Sequence, residues 1–348
     1  MEKDNKKKEK ARKIEHLGLH EDGFWVWGNG ILDIHGEMLL PDSRGNVSVD
    51  GKLYNLPWTR KAGLEIFPED GFCAGLDKGD LTTWSGMMRT VYGDRGIVAV
   101  GYALAAIFKD LCDGLAMRFP ILYICGRKGS GKTRLASSMK ALMGRPEKGP
   151  DLPNMTKGYM DRWLGLMKNG YVHIDEYRNN ERASLIMMLR RVPDERDCGL
   201  ILCGQERDLW CTELNKSSII LYSNKDRFST MEEHAMNVLR AYECLGLTSI
   251  TNRLLGCRSL KFAAMIEECY WFLYNSYIPR CIDNIGEIDT DMLRCWCLVP
   301  AVSLALRQSG AKLAWEHIEG MSVFMDLLVE QARRINGGNG VDGINGIN

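Results

Sequence analysis

An α/β fold, with a parallel β-sheet covered by helices on both faces, is what this 348-residue chain predicts. Three stretches carry the prediction. The apolar run 121–125 (Ile-Leu-Tyr-Ile-Cys) passes into Gly126-x-x-x-x-Gly131-Lys132-Thr133, then into Leu135, Met139, Leu142 and Met143 at helical spacing. A second run, Tyr171-Val172-His173-Ile174, ends on two carboxylates, Asp175 and Glu176, with Asp175 lying 43 residues beyond Lys132. Two further apolar runs, 199–204 and 218–222, follow a helix-patterned segment at 181–192. Strands that alternate with helices pair in parallel, and strands of a sheet covered on both faces are apolar throughout.

The strand–loop–helix setting makes Gly126, Arg127, Lys128, Gly129, Ser130, Gly131, Lys132, Thr133 and Arg134 a candidate nucleotide-binding loop. Its glycines let backbone N–H groups turn inward around phosphates, and the following helix N-terminus adds a favourable dipole. Lys132 can reach β and γ oxygens, and Thr133 can ligate Mg²⁺. Asp175, at a strand's carboxyl end, would complete the Mg²⁺ shell, and Glu176 would orient and deprotonate an attacking water. Gln205, at the polar end of the next strand, is placed to sense a γ-phosphate or hold that water. Both loops fall at one crevice, because ligands of open α/β sheets sit beyond the strands' carboxyl ends. The predicted cofactors are ATP and Mg²⁺. The bland alternatives are a glycine-rich turn that carries Lys-Thr and a strand end with solvated acids. Asn224-Lys225-Asp226 is no guanine-specificity motif, since Arg227 stands where that motif needs an aspartate.

Composition excludes little. Hydrophobic residues make up 45% and charged ones 26%, ordinary for a globular protein, and 45 basic side chains balance 45 acidic ones. Charge is uneven locally: residues 127–148 hold seven basic side chains against Glu147 alone, which fits a polyanion or a solvated face. The twelve cysteines form no CxxC pair, so reduced thiols are the economical reading. The start of the chain lacks the apolar core of a signal peptide, and the apolar runs near 97–108 and 296–306 are too short to span a bilayer. No membrane partner and a cytoplasmic location are expected.

Residues 1–13, with seven basic and three acidic side chains, predict a basic disordered tail. Residues 14–80 predict a small β-rich N-terminal module, in which Phe24-Trp25-Val26-Trp27 and Ile31-Leu32-Asp33-Ile34 flank Gly28-Asn29-Gly30 as a hairpin. Its tryptophans either build core or stack on bases, and Trp58-Thr59-Arg60-Lys61 is the most suggestive spot for stacking. Residues 81–118 predict a helical linker and 119–230 the nucleotide-binding core, with a short amphipathic helix at 159–168. Residues 231–335 predict an all-α C-terminal region with helices at 231–246, 259–276, 289–307 and 313–334, the third kinked by Pro300. The stretch 336–348, rich in Gly and Asn, predicts disorder. His173, inside an apolar strand with no second ligand spaced near it, predicts a packed core histidine.

The glycine loop, followed by His-Ile-Asp-Glu-Tyr-Arg-Asn (173–179) and Leu-Cys-Gly-Gln-Glu (202–206), resembles the AAA+-type ATPase domains of phage and mobile-element primase–helicases, related in style to superfamily 3 helicases. The match covers roughly 119–230, about a third of the chain. The resemblance implies an AAA+-like P-loop NTPase that assembles as a hexamer-like ring on single-stranded or forked DNA during replication. It implies Lys132 and Thr133 as phosphate and Mg²⁺ contacts, Asp175 and Glu176 as the acidic pair, and Gln205 at the sensor position. The family supplies an arginine to a neighbouring subunit's ATP from just before the strand at 218–222. Here 216–218 read Lys-Ser-Ser, so Arg207 or Lys216 takes that part or hydrolysis in trans is weakened. No primase signature is present, so a primase or other replication protein would be a separate chain. Arg190, Arg191 and Arg196, or Tyr159, Arg162 and Trp163, are the candidate DNA contacts.

Three functions stay open on the sequence. One is an ATP-driven DNA helicase or translocase of a mobile element. Another is an ATP-dependent molecular switch or loader whose hydrolysis gates partner binding. The third is a nucleotide-binding scaffold with weak turnover.

Overall fold

A computed structural model describes residues 11–59, 67–178, 180–205, 217–223, 229–276 and 290–338. Short aromatic and β-branched runs, broken by turn residues, open the chain as seven strands. These are β1 (Arg12–Lys13), β2 (Leu17–Leu19), β3 (Trp25–Trp27), β4 (Gly30–Leu32), β5 (Met38–Leu39), β6 (Asn46–Val49) and β7 (Lys52–Asn55). The predicted hairpin is β3–β4, antiparallel with Trp27 opposite Gly30. Its turn is pinned by Asn29, whose side-chain amide donates to the Ala74 carbonyl and accepts the Ala74 N–H. Trp25, Trp27 and Trp58 are buried. The Trp27 indole donates to Asn252 at 3.1 Å and that of Trp58 to the Gly28 carbonyl at 2.9 Å. These indoles build core and present no face for a base; Arg60 and Lys61 lie outside the described residues.

Three helices fill the predicted helical stretch: α1 (Leu81–Tyr92), α2 (Asp94–Ile107) and α3 (Lys109–Cys112). Asp80 caps α1 by accepting the Thr83 N–H at 2.8 Å. Gly96 to Ile107 are all buried, as a helix apolar on every side must be. The Tyr102 hydroxyl of α2 accepts the Leu200 N–H and donates to the Pro120 carbonyl, both at 3.0 Å.

The central segment contributes β8 (Ile121–Gly126), α4 (Lys132–Lys140), α5 (Lys157–Leu164), β9 (Met167–Lys168), β10 (Tyr171–Tyr177), α6 (Ala183–Glu195), β11 (Gly199–Gly204) and β12 (Ser218–Ser223). Four of its strands form an all-parallel sheet in the order β10-β11-β8-β12. Every residue of β8 and β11 is buried, which is what continuous apolar runs in a two-sided sheet require.

The helix expected over 159–168 stops at Leu164, and Met167–Lys168 is a strand instead. β9 pairs in parallel with β2, Leu17 opposite Met167, and completes a five-stranded sheet in the order β5-β4-β3-β2-β9. A Cβ on Gly18, whose φ is 83°, would lie 1.9 Å from the Lys168 carbonyl oxygen, so only glycine permits this approach. The N-terminal strands are thereby joined to the central segment by main-chain bonds.

Among the described residues five helices follow: α7 (Thr230–Glu243), α8 (Thr248–Leu255), α9 (Leu260–Ser276), α10 (Thr290–Gln308) and α11 (His317–Gly338). α8 was not expected: α7 ends at Glu243, short of the expected 246, and Gly246 at φ 81° turns the chain into α8. α11 continues to Gly338, into the stretch expected to be disordered; 339–348 lie outside the described residues. Among the described residues no helix is long and apolar enough to cross a membrane.

Where α1, α4 and α7 meet, Glu243 is buried and accepts the Trp84 indole N–H at 2.8 Å and the Ser138 hydroxyl at 2.9 Å. Burial pushes its pKa up to about 7, against the pull of those two donors. Between the ordinary carboxyl range and pH 7 the native state therefore holds a proton that the unfolded chain has released. Stability falls as pH rises through that window. Glu243→Gln should raise the thermal midpoint more at pH 8 than at pH 5, where the wild-type group is already neutral. Equal shifts at the two pH values would remove Glu243 as a source of pH dependence.

Candidate functional site

The carboxyl ends of β8, β10 and β11 open on one cleft of about 900 Å³, where ligands of open α/β sheets sit. The loop leaving β8 holds Gly126, Gly129 and Gly131 at φ 150°, 87° and 89°. Such positive values turn successive N–H groups toward a common point. A Cβ on Gly126 would lie 2.1 Å from the Ser223 carbonyl oxygen of β12, whereas one on Gly129 would meet nothing within 4 Å. α4 begins at Lys132, so its N-terminus and unpaired N–H groups border the cleft.

Lys132 Nζ donates to the carbonyls of Gly126 and Arg127 at 2.8 and 2.7 Å, which holds the ammonium over the loop. Thr133 Oγ1 donates to Asp175 Oδ2 at 2.7 Å. A hydroxyl and a carboxylate oxygen in contact are hard ligands of the kind Mg²⁺ takes, and the adjacent cationic loop suits a polyphosphate. The residues present therefore fit a magnesium–nucleotide.

Asp175 and Glu176 are neighbours with different fates. Asp175 is 2% exposed and faces Thr133. Glu176 adopts φ 56°, and the register of β10 against β11 shifts between Ile174 and Tyr177. A bulge of this kind re-aims a side chain. Here it turns Glu176 out to line the cleft, with Oε2 3.5 Å from Arg178. Gln205 follows β11, which lies between β8 and β10. It also lines the cleft, its carbonyl accepting the Tyr123 hydroxyl at 3.0 Å. Lys128, Gly129 and Arg134 border the same cleft. Arg207 and Lys216, the candidates for an arginine finger, lie outside the described residues.

Several cleft-side residues carry no local sequence signal. The loop after α4 crosses the end of β10, where the Asp175 N–H donates to the Pro150 carbonyl at 2.9 Å. It brings Lys148 to 2.5 Å from Asp151 and 3.9 Å from Asp175. The hydrogen bond to Asp151 raises the Lys148 pKa. On the other flank Arg95 of α2 donates to Ser223 Oγ at 2.7 Å, and Ser223 Oγ donates to the Ser130 carbonyl at 2.6 Å, bracing the glycine loop. Lys148 was visible only as one member of a basic run, and Arg95 not at all.

His173 is buried beside Asp175 and Cys203, with ligand-type atoms all within 4.8 Å of one another. Burial lowers its pKa to about 3, so the ring is neutral. Nδ1 accepts the Gly149 N–H at 3.1 Å, which places the ring proton on Nε2. Its one ring lone pair, on Nδ1, is taken by that N–H, and His173 behaves as a core histidine. Of the suggested DNA contacts, Arg162 pairs with Glu69 at 3.3 Å and Trp163 is buried, donating to the His173 carbonyl. Arg196 pairs with Asp161, and Arg191 with Glu195 at 3.8 Å. Tyr159 is 40% exposed, its ring 6.2 Å from that of Trp163.

No protein-family model matches the chain, and no curated protein matches it. Among solved structures, one described as the active helicase Cch of SCCmec type IV is similar, with a TM-score of 0.56 at 12% identity. The superposition covers 85% of this chain and 59% of that one, so this chain spans about 59% of the length of that helicase. At this identity the likeness is one of fold. A structure described as the A form apo structure of the NrS-1 C-terminal region matches at a TM-score of 0.31 and 12% identity, over 76% of this chain and 74% of that one. A score so low carries no argument.

The two loop glycines separate strain from collision. Gly129→Ala should cost roughly 1 kcal/mol, the penalty of a left-handed alanine, and Gly126→Ala roughly 2–3 kcal/mol because its Cβ also meets backbone. Urea unfolding of the two variants measures the difference; the reverse order would sink the account of the loop.

Proposed function

We propose that the chain is an AAA+-like P-loop NTPase that hydrolyses ATP and acts as a ring-forming DNA helicase or translocase of a phage or mobile genetic element in DNA replication. The observation that carries this reading is the 2.7 Å contact between Thr133 and Asp175, flanked by Lys132 and Glu176 at the mouth of one parallel sheet. The fold likeness to a structure described as an active helicase supports the same direction.

In this reading the backbone N–H groups from Gly126 to Arg134 surround the phosphates, and Lys132 exchanges its loop carbonyls for β and γ oxygens. Thr133 and Asp175 hold Mg²⁺, which supplies charge neutralisation on the phosphates when bound. Glu176, turned into the cleft, accepts a proton from the attacking water, and the Gln205 amide orients that water. Arg178 holds the Glu176 carboxylate from the side. Arg207 or Lys216 of an adjoining subunit completes the charge stabilisation.

Steady-state ATP turnover, with and without single-stranded DNA at low and moderate salt, tests the motor. Stimulation that fades as salt rises is expected, because phosphate contacts release counterions. Turnover indifferent to DNA would transfer the site to an ATP-dependent switch or loader. Lys132→Ala should lose nucleotide binding while its unfolding midpoint stays put, since the side chain serves the loop and not the core. Glu176→Gln should keep ATP bound and lose turnover by roughly 10²–10⁴-fold; undiminished turnover there would remove Glu176 from the chemistry.

A further inference from the structure

The loop after α4 is fastened to β10 over three consecutive residues. Gly149 donates its N–H to His173 Nδ1 at 3.1 Å, the Pro150 carbonyl accepts from the Asp175 N–H, and Asp151 bridges to Asp175 in parallel register. A Cβ on Gly149 would lie 2.2 Å from the His173 carbonyl oxygen, so the loop comes this close only with glycine there. Lys148, the residue before, is thereby anchored through its main chain at the cleft, while its side chain stays 47% exposed. Its Nζ lies 2.5 Å from Asp151 Oδ1 and 3.9 Å from Asp175 Oδ2. Asp175 Oδ2 is also the oxygen that accepts the Thr133 hydroxyl. Lys132, another ammonium of the cleft, is held on the carbonyls of Gly126 and Arg127 instead. An exposed ion pair does little for stability by itself. What singles this one out is the oxygen it shares with the metal-type ligands.

We propose that Lys148 is a tethered cation of the nucleotide site: it balances Asp151 and Asp175 until magnesium–nucleotide binds, then passes to the terminal phosphate and so distinguishes a triphosphate from a diphosphate. The inference rests on the nucleotide-binding reading of the cleft. Asp175 is 2% exposed, and a carboxylate so placed needs a positive charge beside it. Lys148 and Mg²⁺ compete for that part, because like charges a few ångströms apart repel strongly where water is scarce. Once dismissed from Asp175, the ammonium has a flexible four-carbon stem on which to move and three donors to offer. Its main chain cannot follow, being fixed through Gly149, Pro150 and Asp151, so Nζ stays beside the metal's ligands. The metal ion of such a site bridges the β and γ phosphates, which makes the terminal phosphate the anion within reach. A diphosphate lacks that group, and with it bound Lys148 keeps only Asp151.

The test is equilibrium binding to the full chain of ATP and of ADP with Mg²⁺, and of Mn²⁺ without nucleotide, the metal followed by its electron paramagnetic resonance. Wild type, Lys148→Ala and Lys148→Arg are compared, with urea unfolding to check that these half-exposed changes leave the fold intact. In Lys148→Ala, ATP should bind about tenfold more weakly, the loss expected for one charge-assisted bond, and ADP less than about twofold. Mn²⁺ alone should bind about threefold or more tightly, because its competitor at Asp175 is gone. Lys148→Arg, which keeps a charge on a long stem, should hold the preference for ATP to within about threefold of wild type. A merely structural ion pair would move neither the ATP-to-ADP ratio nor the metal affinity. An unaltered ratio in Lys148→Ala overturns the proposal, and so does Mn²⁺ binding no tighter than that of wild type. Absence of ATP and ADP binding by wild type would instead fail the nucleotide reading of the cleft and take this inference with it.

Discussion

β8 is hydrogen-bonded along both edges, and the site depends on that register. Cys125 lies opposite Gly204 on one side and Gly126 opposite Ser223 on the other. A slip of one residue would send every side chain of β8 to the opposite face of a sheet that is buried on both. With the register set, parallel pairing brings the carboxyl ends of four strands to one edge. Residues as distant in sequence as Gly126, Asp175 and Gln205 then converge without any local signal of their proximity. The Gly126 turn passes so close to the Ser223 carbonyl that no side chain fits between them, and Arg95, Ser223 and Ser130 lock the loop against the same strand end.

The helices after Thr230 are tied to α4, the element that carries Lys132 and Thr133. The Leu247 N–H donates to the Ala141 carbonyl, Thr251 Oγ1 to the Leu142 carbonyl, and Ser138 to Glu243. The segment between the N-terminal strands and α1 reaches the same place from the other side: the Gly75 N–H donates to Thr248 Oγ1, and Asp77 accepts from Thr248 and Ser249. Polar bonds across such junctions fix geometry more than they add stability, because each replaces a bond to water. These bonds place α4, α7, α8 and the segment before α1 in one hydrogen-bonded junction.

The legible parts of the chain are those whose signal is local and redundant. The four strands of the parallel sheet show as largely apolar runs, that of β10 interrupted by His173, and the glycine loop as a fixed spacing between one of them and a helical pattern. β9 was illegible because two residues carry no periodicity; it exists because Gly18 lets β2 approach Lys168. α8 was missed for a related reason, being one short amphipathic turn pair whose limits depend on Gly246. Lys148 and Asp151 reach the cleft through loop path, and Arg95 braces the glycine loop through helix packing, none of which composition and spacing encode. The tryptophans of β3 and the one after β7 posed the opposite problem, since an indole has the same letter in a core as on a base-stacking surface.

Adjacent strand residues point to opposite faces, so a regular β10 could not aim both Asp175 and Glu176 at one cleft. Asp175 has to stay in the sheet's layer to meet Thr133, and its neighbour would then be directed away. The left-handed residue and register shift at Glu176 resolve this conflict locally: the strand keeps its pairing up to Ile174, releases one residue, and resumes with Tyr177 opposite Gly204. Glycine would adopt that backbone at lower energy, but a glycine has no carboxylate. A non-glycine residue kept in a costly conformation persists only where the surroundings over-determine it, and here the Glu176 N–H donates to the Asp175 carboxylate at 2.9 Å while Tyr177 is buried against Tyr123. The strain therefore sits where a buried metal-type ligand must pass directly into a cleft-facing acid, and the two packed neighbours hold it in place.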